Sequence, residues 1–222
     1  MPYDVLLTFD DMDVSQIRNA VPVLEKYGFR ATFYVMQFPE HRSEKNLHSM
    51  DVSEVSGLVR RGWEVGNHTA YHINFAFGTT EQITTQVELE ERHFARYGLP
   101  APVTFAYPGG PGTEQGMAYI RSRGYVGARA NIRRVWHPEQ DDPFQIPAFA
   151  IADKYPGCFG TIWNEFEADP AERKALVLIY HGIPGPYPEI ATQPDDFARQ
   201  MAFLHEKGCR TWTMADFLKA RS

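Results

Sequence analysis

Residues 4–11 read DVLLTFDD, a short run of apolar and β-branched side chains closed by two adjacent aspartates. A run of this length between acidic residues predicts a strand over residues 3–9 that is buried on both faces. Strands buried on both faces belong to parallel sheets with helices packed outside. A second run of the same kind, LVLIY at 176–180, leads into His181. Between and around them, strand-like and helix-like segments alternate. Strands are predicted over 31–36, 63–66, 103–107, 125–130, 144–150 and 210–213. Helices are predicted over 15–27, 52–61, 80–97, 114–123, 194–207 and from 214 onward. In the first helix Ser15 is placed to cap the N-terminus, and Ile17, Val21 and Leu24 share one face. Repeated β–α alternation in 222 residues suits one α/β domain, closed or distorted into a barrel, better than two domains. The polar segments 37–50, 131–143 and 182–193 read as loops. In parallel barrels the loops at the C-terminal strand ends build the site.

Composition narrows the classes. Hydrophobic residues are 43% and charged residues 23% of the chain, which excludes intrinsic disorder. The formal net charge is −6, a poor match for the phosphate backbone of a nucleic acid, so no nucleic-acid partner is expected. No run of about 18 apolar residues occurs, so no membrane-spanning helix is expected. The first residues lack the basic, apolar and small-residue regions of a secretory leader, which sets the expectation of a cytoplasmic chain unless a leader was removed. Cys158 and Cys209 form no metal-ligand spacing and read as two structural thiols.

Four clusters fall at the C-terminal ends of predicted strands: Asp10-Asp11, His68-Thr-Ala-Tyr-His72, Ala106-Tyr-Pro-Gly-Gly110, and His181. Two histidines four residues apart share one face of a helical turn and offer a bite for one metal ion. A carboxylate completes such a set, and the paired aspartates supply one. The second carboxylate can then take a proton from an activated water. Burying both without a cation would be costly, because like charges repel. Asp13 reads instead as a helix-capping residue. His181 has the proton affinity of a general acid. In the Tyr107–Gly110 turn Pro108 has no N–H, so Gly109 or Gly110 must be the oxyanion donor. His41, His48, His93 and His205 read as surface or helix residues, and His137 as a loop residue away from the site.

Taken together these segments resemble the polysaccharide deacetylase family (NodB homology, carbohydrate esterase family 4). LLTFDD resembles its first motif, GNHTAYH its second, FAYPGG a variant of its third, and LIYH its fifth. The resemblance implies a distorted (β/α)7-type barrel spanning residues 1–222 and a divalent metal, zinc in most members. It implies Asp10 as base, Asp11, His68 and His72 as metal ligands, Gly109 as oxyanion donor and His181 as acid, with Thr69 bracing the histidine loop. The implied reaction is metal-dependent hydrolysis of a C–N amide bond in an N-acetylated sugar or polysaccharide. The alternatives are a small non-sugar amide or ureide as substrate, or a catalytically silent carbohydrate-binding domain. The chain departs from the family at three places. Met12 stands where a glycine is usual. Ala106 stands where the third motif has the arginine that pairs with the catalytic aspartate. The fourth motif, an aspartate followed by tryptophan, has only Asp141, Asp142 and Trp136 as loose candidates.

Overall fold

The computed structural model describes residues 3–36, 38–41, 43, 46–153 and 158–221. The loop expected over 37–50 therefore lies partly outside the described residues. The strands are β1 (Asp4–Phe9), β2 (Thr32–Val35), β3 (Glu64–Asn67), β4 (Thr104–Ala106), β5 (Gly127–Arg129), β6 (Phe149–Ala150), β7 (Ala175–Tyr180) and β8 (Arg210–Trp212). The helices are α1 (Val21–Tyr27), α2 (Val52–Arg60), α3 (Thr80–Arg96), α4 (Glu114–Ser122), α5 (Cys158–Ala168), α6 (Pro194–Glu206) and α7 (Met214–Lys219).

All named strand pairs are parallel, in the order β5-β4-β3-β2-β1-β7-β6. The ring closes where Ile146 bridges Arg129 of β5, a few residues before the same segment joins β7 as β6. The distortion has a definite origin. Residues 8 and 9 of β1 pair with β2, whereas residues 4–6 pair with β8. The last strand thus wedges between the lower halves of β1 and β2 and splays them. This is the distorted (β/α) barrel expected from the alternation.

All six residues of β1 and of β7 are buried, which explains their unbroken apolar runs. Val5, Leu7, Phe9, Leu176, Leu178 and Tyr180 pack into the helical shell. Leu6, Val177 and Ile179, on the opposite face, pack with Met214 and Phe217 of α7, which closes the barrel floor. Glu64 sits above that floor. Its carboxylate accepts from Thr32 Oγ1 at 2.8 Å, Thr104 Oγ1 at 2.5 Å and Ala215 N at 3.0 Å. Burial still raises its pKa above the ordinary carboxylate value.

The structure corrects several local expectations. The helix expected over 15–27 opens as a π turn, Gln16–Ala20, before α1. Ser15 makes no side-chain cap, because its hydroxyl accepts from Ile183 N instead. Asp13 does the capping, its Oδ1 accepting from Ser15 N at 2.8 Å. The strand expected over 144–150 shrinks to two residues and the lone bridge at Ile146. Helix α5 has no counterpart in the sequence reading, although Ile162, Trp163 and Phe166 present a buried stripe at helical spacing. Cys158 and Cys209 are free thiols. No helix among the described residues is long and apolar enough to cross a membrane.

In α3, Glu90 is fully buried beside His93 Nδ1 at 2.9 Å, and its Oε1 has no partner among the described residues. Burial raises this carboxyl to about 7. The native state therefore holds a proton that the unfolded chain gives up at lower pH, and stability falls as pH rises from the ordinary glutamate value through about 7. Glu90→Gln is expected to leave the melting temperature almost unchanged at pH 5 and to raise it by several degrees at pH 8. Equal shifts at both pH values in thermal melts would contradict this account.

Candidate active site

The six-residue register of β1 on β7 ends with Phe9 opposite Tyr180. It carries on into the bond from Asp10 N to Tyr180 O at 2.9 Å. Asp10, Asp11 and His181 are thereby delivered side by side at one strand-end rim. The histidine loop follows β3, whose end is tied to β2 by His68 N donating to Val35 O at 2.9 Å.

The spacing of His68 and His72 suggested a helical turn, but the segment is a bend. Thr69 has φ 64° and His72 φ 55°, both left-handed. Thr69 Oγ1 accepts from Ile73 N at 3.2 Å, and Thr69 N donates to Asn67 Oδ1 at 2.7 Å, which holds the bend closed. The two rings meet edge to face with centroids 5.0 Å apart. Asp11 (φ 66°) and Met12 (φ 49°) are the other left-handed non-glycine residues among those described. Backbone of this kind costs about 1–3 kcal/mol per residue and clusters at functional sites. Met12 thus occupies a conformation that a glycine would adopt without strain, in line with the glycine usual there.

Asp11 Oδ1 lies 3.5 Å from Nε2 of His68 and 3.5 Å from Nε2 of His72. The three ligand atoms fall within 4.8 Å of one another. His68 Nδ1 is 2.8 Å from Ala106 O, so that nitrogen carries the proton and Nε2 presents its lone pair. Burial lowers the pKa of His68, with the carboxylates of Asp10 and Asp11 opposing, and keeps the ring neutral. Asp11 Oδ1 is buried with no hydrogen-bond partner among the described residues. One carboxylate oxygen and two imidazole nitrogens within reach of one another, around one unsatisfied atom, fit a divalent cation.

Asp10 is compensated differently. Arg129 Nη2 faces both carboxylate oxygens, at 2.5 and 2.6 Å, with both residues buried. Burial alone would raise the pKa of Asp10. The Arg129 guanidinium more than offsets it and holds the carboxyl below its ordinary value. The arginine missing at 106 is therefore present at 129, and the two positions are direct partners across β4 and β5. The Arg129 guanidinium lies over the Tyr34 ring at 5.3 Å. That ring in turn requires Gly66, where a Cβ would meet Tyr34 Cε1 at 2.5 Å.

His181 Nε2 is 3.9 Å from Asp11 Oδ2, and its Nδ1 is buried without a partner among the described residues. Gly109 is exposed on the turn after Ala106, at φ 68°, and a Cβ there would meet Asn74 Nδ2 at 2.9 Å. The loose fourth-motif candidates do not join the site. Asp141 binds Arg134, Asp142 binds Arg121, and Trp136 is buried against Phe217. His137 pairs with Asp169 at 3.0 Å, away from the cluster. His48, expected as a surface or helix residue, lines a cleft of about 330 Å³ together with Asp11, His181, Leu47 and Tyr187. No sequence signal marks His48 or Arg129.

The sequence profile described as polysaccharide deacetylase matches residues 2–128. A poly-beta-1,6-N-acetyl-D-glucosamine N-deacetylase of Staphylococcus aureus (strain MRSA252) is 26% identical over 161 residues, covering 67% of this chain and 54% of the relative. The chain thus spans about half the length of the curated relatives it matches. Among solved structures, a peptidoglycan N-acetylglucosamine deacetylase superposes with a TM-score of 0.68 at 20% identity, over 96% of this chain and 86% of that one. A family 4 acetyl xylan esterase from Clostridium thermocellum, in complex with a cobalt ion, gives 0.65 at 17% identity, over 98% and 91%. Likeness at these identities establishes the fold.

Removing one partner of a buried ion pair typically costs about 3–5 kcal/mol. Arg129→Ala is expected to cost that much in denaturant unfolding. The double variant Ala106→Arg/Arg129→Ala returns a guanidinium to the same face one strand away and is expected to recover part of the loss. Unchanged stability in Arg129→Ala would refute the pairing.

Proposed function

The chain belongs to the polysaccharide deacetylase family, and on that footing we propose that it hydrolyses the acetamide of an N-acetylated sugar in a glycan, with zinc as its metal. The observation that carries this reading is the buried, unpartnered Asp11 Oδ1 shared by His68 and His72, between Asp10 on one side and His181 on the other. The names of the Staphylococcus relative and of the peptidoglycan-deacetylase neighbour support N-acetylglucosamine polymers as the substrate class.

A divalent cation held by Asp11, His68 and His72 would supply Lewis acidity, acidifying water and polarising the acyl oxygen. Asp10, kept ionised by Arg129, accepts the proton of the attacking water. Its oxygens reach the metal side of the site, Oδ2 lying 3.7 Å from His68 Nε2. Gly109, lacking a Cβ, lets the substrate carbonyl approach its N–H. His181 gives a proton to the nitrogen as the C–N bond breaks, which yields acetate and the free amine. The Ala106 departure pointed toward a non-sugar amide or ureide, but Arg129 removes that ground. The complete acid, base and ligand set argues against a silent carbohydrate-binding domain.

The test is acetate release from N-acetylglucosamine oligomers by zinc-loaded protein, with and without chelator. Chelation is expected to abolish turnover and zinc to restore it. Asp11→Asn is expected to weaken zinc binding by more than the roughly 10–100-fold that loss of an outer partner costs. Undiminished turnover in the chelated protein would overturn the proposal.

A further inference from the structure

The acid and the base come from different strands, and one buried side chain joins their backbones. Gln16 is fully buried in the first position of the π turn. Its Nε2 donates to Asp10 O at 2.6 Å and to His181 O at 3.2 Å. Two neighbours act on the same loop. Ser15 Oγ accepts from Ile183 N at 2.6 Å, and Asn19 Nδ2 donates to Ile183 O at 2.5 Å. Single π turns inside helices recur at functional sites. Here the turn aims Ser15, Gln16 and Asn19 at one stretch, residues 181–183.

The His181 ring needs such support. Its Nδ1 is buried and makes no hydrogen bond among the described residues, and Asp141, Asp142 and Trp136 are engaged elsewhere. With no side-chain partner on Nδ1, the ring is placed through its own backbone. We infer that Gln16 is a positioning residue, setting the separation of the Asp10 base and the His181 acid by clamping the carbonyls of both. This rests on the acid and base assignment proposed above.

The leaving group separates positioning from plain stability. An amine cannot depart from carbon without a proton, whereas an aryl alcohol leaves as its anion. Asp10 stays held by Arg129 and by its N–H on Tyr180 O, so loss of the clamp displaces His181, which slows amide hydrolysis and spares aryl ester hydrolysis, while general loss of structure slows both alike. General acid–base catalysis contributes about 10²–10⁴-fold, which sets the scale. Gln16→Met keeps the length and removes the donor. In zinc-loaded protein its kcat on an N-acetylglucosamine oligomer is expected to fall at least about tenfold. Its kcat on an aryl acetate is expected to change little, with KM and zinc content unchanged. Should Gln16→Met fail to fold, Gln16→Asn keeps a shorter amide that cannot span both carbonyls, and the same selective loss is expected. An equal fall on both substrates, or no fall on either, in a wild-type-active protein overturns this inference alone. A zinc-loaded wild type that cleaves neither substrate overturns the functional proposal and this inference with it.

Discussion

Two carboxylates sit next to each other at the end of one buried strand, and their charge must be offset. Coulombic repulsion in a low-dielectric rim would otherwise protonate one of them. The structure treats the two separately. Asp10 turns inward to Arg129, a buried guanidinium held over the Tyr34 ring. Asp11 turns to the two imidazoles and keeps one oxygen with no donor. The first arrangement is complete within the protein. The second leaves an oxygen and two imidazole nitrogens grouped where a cation could be held.

The barrel serves that division. The β1–β7 register brings Asp10 and Asp11 beside His181, and the β4–β5 register puts Arg129 across from Ala106. Ala106 in turn offers its carbonyl to His68. A single position thus fixes the tautomer of His68 and marks the strand edge at which the compensating arginine stands. The strained residues Asp11, Met12, Thr69 and His72 are carried by the two segments that form the Asp11–His68–His72 cluster. Their cost is met by the long pairing of β1 and by the bonds within the 67–73 bend.

Much of this was legible in the chain. VLLTFDD and LIYH announce buried parallel strands with polar residues at their ends, because burial on both faces forces continuous apolar runs, and HTAYH marks a third strand end by its paired histidines. Other features were hidden, each for a physical reason. Arg129 lies in GARAN, which reads as an ordinary strand, and only the register with β4 reveals what it faces. The HTAYH bend mimics helical spacing, since i and i+4 also meet when two residues turn left-handed. The π turn is invisible to periodicity over so few residues. The stripe of α5 was present in the sequence but short, and Gly160 and Thr161 diluted it. The cleft lining by His48 depends on the 46–49 segment folding back, with Met50 N on Met12 O and Val14 N on His48 O.

The account stands or falls on what Asp11 binds. A crystal structure of the zinc-loaded protein, with anomalous scattering recorded at the zinc edge, measures this directly. The account predicts one peak of full occupancy about 2.0–2.2 Å from a carboxylate oxygen of Asp11 and from Nε2 of both His68 and His72, with Asp10 still on Arg129. A zinc peak elsewhere, or none at these three residues in protein that is active, would contradict it.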